Sequence, residues 1–265
     1  MTTTPTVSEG ITVDGVSKRF RRRGQVVHAL DGVSLDVAPG EFVSLIGPSG
    51  CGKSTLLRII GGLIDHDDGV VRIGHRSPEQ ARRQKRFGFV PQTPALLPWR
   101  TVHDNVALLG EVNRRAGSVY GGDAAGPAEL IAQVGLAGFE RAHPAELSGG
   151  MQQRVALVRA FALGAPILLM DEPLAALDEI TRADMRYQLL DIWTRSGHTV
   201  VFVTHSIDEA VILSDRVVVL GARPGRIAAT ERIELSRPRT PDMEDTEAFH
   251  RHVRSIRAAL RAGWS

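Results

Sequence analysis

The chain has 265 residues, 43% of them apolar, which is ample for a large α/β domain with its own core. A formal net charge of +2 argues against nucleic acid as a partner, and the single cysteine, Cys51, excludes an internal disulfide and suits a reducing cytoplasm. No apolar run reaches the ~18 residues of a membrane span, and Met1 to Gly10 lacks the apolar centre of a signal peptide, so the chain is expected to be soluble and to meet a membrane only through a partner.

Alternating apolar residues at Ile11, Val13 and Val16, and again at Val33, Leu35 and Val37, predict two half-buried strands. The arginine-dense segments Arg19 to Arg23 and Arg82 to Arg86 read as solvated faces, or as contacts for acidic headgroups or a partner. After the turn Pro39-Gly40, Phe42 to Ile46 is continuously apolar, the pattern of a strand buried on both faces. A glycine-rich loop follows at once, and Thr55 to Ile60 reads as a helix that Gly61-Gly62 ends. Val70 to Ile73 and Phe87 to Val90 are further strand candidates. From 93 to 163 the pattern is helical and loop-rich, with small residues from Gly117 to Pro127, and reads as a helical lobe inserted into the core. Strands return at Ile167 to Met170, Thr199 to Val203 and Val217 to Leu220, with helices between them, which predicts a largely parallel sheet covered on both faces. A tail from 233 to 265 contains a basic, helical segment, Phe249 to Arg261.

Three motifs carry chemistry. Gly47-Pro48-Ser49-Gly50-Cys51-Gly52-Lys53-Ser54 fits G-x-x-x-x-G-K-[ST]. The glycines let backbone N–H groups turn inward around phosphate oxygens, and the following helix adds its positive end. Lys53 reaches the β- and γ-phosphates and the Ser54 hydroxyl ligates Mg²⁺ in such a loop. Chance matches occur in about one of 100 chains this long at average composition, and the strand before and helix after lower that further. Cys51 occupies a free position, as a small spacer or as a thiol acidified by the helix end. The apolar strand Ile167 to Met170 ends in Asp171-Glu172, at the carboxyl end where open α/β sheets bind ligands. Asp171 could hold Mg²⁺ through water, and Glu172 could orient and deprotonate an attacking water.

The third motif, Leu147-Ser148-Gly149-Gly150-Met151-Gln152-Gln153-Arg154, precedes a helix. A serine hydroxyl, two glycine amides and a helix end make a second anion site, redundant in one pocket but useful for closing over a partner's nucleotide. Here the chain resembles the ATP-binding subunits of ABC transporters, whose signature this run matches, with Met151 where many members have glutamine. The resemblance extends from Ile11 to Arg232. It implies an α/β fold of the ABC-type P-loop NTPases, with a mixed-sheet core, an N-terminal antiparallel β part and an inserted α-helical subdomain. The ATPase domain would span 11–232, the helical subdomain about 93–163, and the tail 233–265. Phe20 would stack on adenine where the family usually has tyrosine. Gly47, Pro48, Ser49, Gly50, Cys51, Gly52, Lys53, Ser54 and Thr55 would wrap the phosphates, and Ser54, Gln92 and Asp171 would serve Mg²⁺. Gln92 also resembles the glutamine that contacts the membrane subunit, Glu172 the base, His205 the residue touching the γ-phosphate, and Leu177-Asp178 the loop that crosses the dimer. Two copies would pair head to tail, with each ATP between Gly47–Thr55 of one and Ser148, Gly149 and Gly150 of the other.

Leu96 to Val106, which contains Leu97-Pro98-Trp99 and Asp104-Asn105-Val106, and the tail run Leu235 to Arg239 are similar to the nitrate/sulfonate/taurine group of bacterial importers. That likeness implies integral-membrane permease subunits and, indirectly, a periplasmic or lipid-anchored substrate-binding protein as partners. It also implies a peripheral position on the cytoplasmic face of the bacterial inner membrane. Trp99 reads either as an anchor on the permease or as a core residue of the lobe. The alternative function is a soluble ABC ATPase not coupled to transport; those chains usually carry two ATP-binding halves or a long coiled coil, and neither pattern is visible in the sequence. A non-hydrolysing ATP clamp is disfavoured by Glu172 and His205, and a GTPase or small-molecule kinase would leave Leu147 to Gly150 unexplained.

Overall fold

The structure, a computed structural model, describes residues 9–22, 24–115 and 126–263. Most of the small-residue loop expected from Gly117 to Pro127 lies outside the described residues, as does Arg23. The chain opens with strands β1 (Ile11–Arg22), β2 (Gln25–Val37) and β3 (Phe42–Ile46), then helix α1 (Lys53–Ile60), β4 (Asp68–Ile73), α2 (Pro78–Arg83) and β5 (Phe87–Val90). Helices α3 (Val102–Arg115), α4 (Pro127–Gln133) and α5 (Gly149–Phe161) follow, then β6 (Ile167–Asp171) and α6 (Glu179–Ser196). The last elements are β7 (Thr199–Val203), α7 (Ile207–Leu213), β8 (Arg216–Leu220), β9 (Ile227–Arg232) and α8 (Glu247–Ala262). They fall into two compact units, Gln84–His198 on one side and Glu9–Arg83 with the segment from Thr199 on the other.

The second of these units is built on two sheets. In the antiparallel sheet β2-β1-β4, Ile11 stands opposite both Val37 and Ile73, and all three are buried. The apolar alternation that marks β1 fades after Val16, yet the ladder continues to Arg22 opposite Gln25, through register shifts at Val13–Val16 and beyond. Strand β3 is buried at every position and lies parallel to β7 on one side and β8 on the other, with Leu45 opposite Val203 and Val218. This is the continuous apolar run that a strand covered on both faces requires. Strand β9 pairs antiparallel with β8, so the sheet is not parallel throughout. Its sequence, Ile-Ala-Ala-Thr-Glu-Arg, carries little apolar signal, and pairing with β8 rather than its own pattern makes it a strand.

The tail closes onto α7. Arg239 is buried, and its guanidinium donates to the carbonyls of Val211, Ile212 and Ser214 at 3.0, 2.9 and 2.8 Å. These are the carbonyls that a helix end leaves without partners, so the arginine caps α7 from outside. Arg237 adds bonds to Asp215 and to the Leu213 carbonyl. Thr246 then caps α8, which buries Phe249, Val253 and Ile256 at helical spacing and packs on α7 and β9.

In the other unit, β5 and β6 pair in parallel, Phe87 opposite Ile167 and Val90 opposite Met170. Helix α5 packs on α3, α4 and β5. At the end of this unit His198 is buried edge-on to Phe161, ring centroids 5.6 Å apart, while its carbonyl accepts from Trp193 Nε1 at 2.7 Å. Neither ring nitrogen of His198 has a hydrogen-bond partner among the described residues. Burial therefore lowers its pKa from 6.5 to about 4. The unfolded chain binds this proton between those values and the folded chain does not, so His198 removes stability as pH falls from 6.5 toward 4. His198→Leu keeps the apolar packing and removes the titration, so urea unfolding at pH 7 and pH 5 is expected to show an acid loss about 2 kcal/mol smaller than in the wild type. Equal losses in the two proteins would show that another group governs the acid limb.

Candidate nucleotide-binding site

The phosphate loop joins β3 to α1. Gly50 and Gly52 have φ of +75° and +104°, a region L side chains rarely enter, and these turns bend the backbone round the loop's interior. A Cβ on Gly52 would lie 2.6 Å from Leu30 Cδ2 and 2.7 Å from the Ala29 carbonyl, so β2 walls the loop on one side. Lys53 is buried, and its ammonium donates to the carbonyls of Gly47 at 2.7 Å and Pro48 at 3.0 Å, which holds its charge inside the loop. Helix α1 starts at Lys53, two residues before the apolar run suggests, because the loop winds directly into it and the Leu56 N–H reaches the Gly52 carbonyl at 2.8 Å. Ser54 and Thr55, in its first turn, are partly exposed. Cys51 is 1% exposed, which removes the access a reactive thiol needs and leaves it as a packed spacer.

The same unit carries Phe20 and His205. Phe20 is 39% exposed on β1 opposite Val27, with the Lys18 ammonium 5.5 Å from its ring centroid. The flanking Arg19 is drawn to Asp68, Nη2 to Oδ2 2.8 Å, so this part of the arginine-dense segment forms surface ion pairs. His205 is exposed in the short connection from β7 to α7. Its neighbours fix that connection: the Thr204 hydroxyl donates to Glu209 at 2.5 Å and accepts from the Ser206 N–H at 3.0 Å, and Ser206 caps α7.

In the Gln84–His198 unit the acidic pair follows β6 directly. Asp171 is buried at the strand's last position. Glu172 has φ of +49°, a left-handed conformation that costs a non-glycine residue roughly 1 kcal/mol or more. Its carboxylate accepts from Gln92 Nε2 at 3.0 Å, so two residues 80 apart in sequence meet. Ser148 caps α5 by accepting the Met151 N–H at 3.2 Å, and Gly149 and Gly150 form the first turn. Among the described residues nothing lies within 4 Å of a Cβ placed on Gly149, whereas one on Gly150 would come 2.9 Å from Leu177 Cδ2. Gly150 and the Leu177-Asp178 loop are therefore in contact. Asp178 caps α6 through the Thr181 N–H at 3.0 Å, and that bond holds its carboxyl below the usual carboxylate range.

The Leu97-Pro98-Trp99 loop also has a visible support. Asn105 is fully buried, accepts from the Leu97 N–H at 2.8 Å, and donates to the carbonyls of Leu97, Arg100 and Thr101. Arg159, largely buried, donates to the carbonyls of Pro94 and Ala95 at 2.8 and 2.9 Å. Held by these two side chains, the loop leaves Trp99 72% exposed, so it is not a core residue of the lobe.

The proposed donors for a metal, Ser54, Gln92 and Asp171, are all hard oxygen ligands of the kind magnesium takes. Among the described residues no cluster of three His, Cys, Asp or Glu side chains could hold a metal alone. A residue that no sequence motif marks also reaches the loop: Arg223, in the turn between β8 and β9, donates Nε to the Gly50 carbonyl at 2.9 Å. It lies 173 residues from Gly50 and belongs to no phosphate-binding pattern, so only the fold brings the two together.

A strand–loop–helix phosphate cradle, with an acidic pair after a second buried strand, defines a P-loop nucleoside triphosphatase. The ABC transporter family profile matches residues 30–175. An uncharacterised ABC transporter ATP-binding protein of Methanocaldococcus jannaschii is 48% identical over 234 residues, covering 86% of this chain and 84% of that one. Aliphatic sulfonates import ATP-binding proteins of Bacillus subtilis (43% identical over 245 residues, 92% of this chain and 93% of that one) and Xanthomonas axonopodis pv. citri (44% over 256, 96% and 98%) match nearly end to end. The dimeric post-hydrolysis structure of an ATP-binding cassette bound to ADP and Pi superposes with a TM-score of 0.70 at 32% identity, covering 85% of this chain and all of that one. The chain belongs to the ABC transporter family. It is an ATP-binding subunit, an ATPase coupled to transmembrane transport. No helix among the described residues is long and apolar enough to cross a membrane.

The two kinds of glycine are separable by experiment. Gly52→Ala is expected to cost about 2–4 kcal/mol in urea unfolding and to weaken ATP binding more than tenfold, because both the φ and the space forbid a side chain. Gly149→Ala should leave folding stability within about 0.5 kcal/mol of the wild type or slightly raise it, since its Cβ meets nothing among the described residues. A comparable loss of stability in both variants would contradict this account of the loop.

Proposed function

We propose that this subunit powers a bacterial importer from the cytoplasmic face of the inner membrane, for an aliphatic sulfonate or a similar small anion. The near end-to-end likeness to aliphatic sulfonates import ATP-binding proteins supports that cargo class. Cargo would be delivered by a periplasmic or lipid-anchored binding protein and passed through integral-membrane permease subunits. The exposed Trp99, on a loop made rigid by Asn105 and Arg159, is the anchor for the permease, and Gln92 senses the nucleotide beside it.

Two copies bind two ATP molecules head to tail. In each, Gly47 to Thr55 of one copy holds the phosphates, Phe20 stacks on adenine, and Ser148, Gly149 and Gly150 of the other copy close over the γ-phosphate. Asp178 lines the junction between copies. Gly149 supports this arrangement: no described atom lies within 4 Å of a Cβ placed on it, so the first turn of α5 leaves room for a group from another copy. Ser54 and Gln92, and Asp171 through water, would hold Mg²⁺, which would supply positive charge at the phosphates. Lys53 adds a second positive group there. Glu172 takes a proton from the attacking water as its oxygen bonds to the γ-phosphorus and the bond to the bridging oxygen breaks, giving ADP and phosphate. His205 donates to the γ-phosphate oxygens. Loss of the γ-phosphate removes the charge that joined the copies, and they separate.

The observation that carries the reading is Glu172 itself: a carboxylate at the end of a buried strand, held in a left-handed backbone and bonded by Gln92. Strain of that kind persists where the surroundings fix a residue for its task. Glu172→Gln is expected to bind ATP as the wild type does, to lose at least about 100-fold in turnover, and to accumulate as an ATP-bound dimer in gel filtration. Turnover at the wild-type rate would remove Glu172 as the base. Ser148→Arg should abolish hydrolysis while one isolated copy still binds ATP within about threefold of the wild type. Full hydrolysis by this variant would remove the shared site.

A further inference from the structure

We propose that Arg223 is a positioning residue of the phosphate loop, holding the Gly50–Cys51 peptide in its inward-facing orientation and adding positive charge beside the loop. This rests on the reading that the loop binds ATP, and extends it to a residue outside every motif of the site. The Arg223 Nε donates to the Gly50 carbonyl at 2.9 Å. The guanidinium also occupies the space that a Cβ on Gly50 would take, so Gly50 is required both for its φ of +75° and for the arginine's approach. A trans peptide points its N–H opposite to its carbonyl. With the Gly50 oxygen drawn outward to Arg223, the Cys51 N–H faces the other way, toward the Pro48 carbonyl at 3.2 Å within the loop.

The arginine is delivered by an anchored turn. Gly225 donates its N–H to the Ala29 carbonyl at 3.0 Å and accepts the Asp31 N–H at 3.0 Å, which ties the turn to β2. A Cβ on Gly225 would collide with the Cys51 carbonyl, so the turn lies directly against the loop's backbone. Arg226 is bound to Asp31, Nε to Oδ2 2.9 Å, so its charge is paired. Arg223 differs: it is exposed, and among the described residues its partner is a neutral carbonyl. Its charge remains available to an anion in the loop, and a hydrogen bond to a charged donor is among the stronger kinds.

The test is ATP titration of the full-length chain, with steady-state hydrolysis and melting without nucleotide, for wild type, Arg223→Met, Arg223→Lys and Lys53→Ala. Arg223→Met is expected to weaken ATP binding and raise KM about three- to tenfold, with less than about twofold change in kcat and an unchanged melting midpoint. Arg223→Lys, which keeps the charge and a donor, should stay within about twofold of wild-type affinity. The proposal is overturned if Arg223→Met binds ATP like the wild type. It is overturned equally if the loss tracks a fall in melting midpoint and Arg223→Lys is as weak as Arg223→Met, which is what a merely structural role predicts. If Lys53→Ala also binds like the wild type, the ATP-loop reading itself fails; if Lys53→Ala loses binding and Arg223→Met does not, only the role of Arg223 fails.

Discussion

Successive backbone N–H groups can converge on an anion only where the chain leaves the conformations that L side chains prefer. In this protein that departure is concentrated at Gly50 and Gly52, and much of the surrounding unit keeps the loop in it. Leu30 and Ala29 of β2 press against Gly52, the β8–β9 turn presses Gly225 against Cys51, and Arg223 draws the Gly50 carbonyl outward. Strand β3 delivers the chain into the loop and is buried between two parallel neighbours, which gives the loop a fixed base. Strand β2 of the antiparallel sheet and the turn between β8 and β9 thus supply the walls of the loop proposed to hold phosphates.

The Gln84–His198 unit uses the same economy of short, side-chain-supported connections. Glu172 follows a buried strand, takes an unfavourable backbone conformation and meets Gln92. Ser148 and Asp178 each cap the helix they precede, and Gly150 lies against Leu177, so the run from Ser148 packs on the following loop. Asn105 and Arg159 satisfy the carbonyls of the 94–101 loop from below and turn Trp99 outward. An exposed tryptophan on a rigid loop is costly to leave in water and is a natural contact for a partner.

The tail contributes to the other unit. Arg239 and Arg237 bind the end of α7 and Asp215, and α8 covers α7 and β9. Helix α7 begins just after His205, so the helix that follows this histidine is capped at its start by Ser206 and at its end by the tail. The resemblance of Leu235 to Arg239 to an importer group has, in this chain, a structural meaning: the arginines there are helix caps.

The sequence by itself singled out the glycine-rich loop, the acidic pair and the run Ser148 to Gly150 as candidates for phosphate chemistry, because each is a contiguous run recognised by its residue spacing. It also marked the buried strands at Phe42–Ile46 and Ile167–Asp171, where burial on both faces leaves an uninterrupted apolar run. It did not mark β9 or the far half of β1, which are strands by virtue of their partners and carry no apolar period of their own. Nor could it separate Trp99 as anchor from Trp99 as core, since that depends on Asn105 and Arg159 placing the loop. The phosphate loop shows the division most plainly. Its glycines are legible in order, but the arginine that holds Gly50 lies 173 residues away, and a contact of that kind exists only once the β8–β9 turn has folded back against the loop.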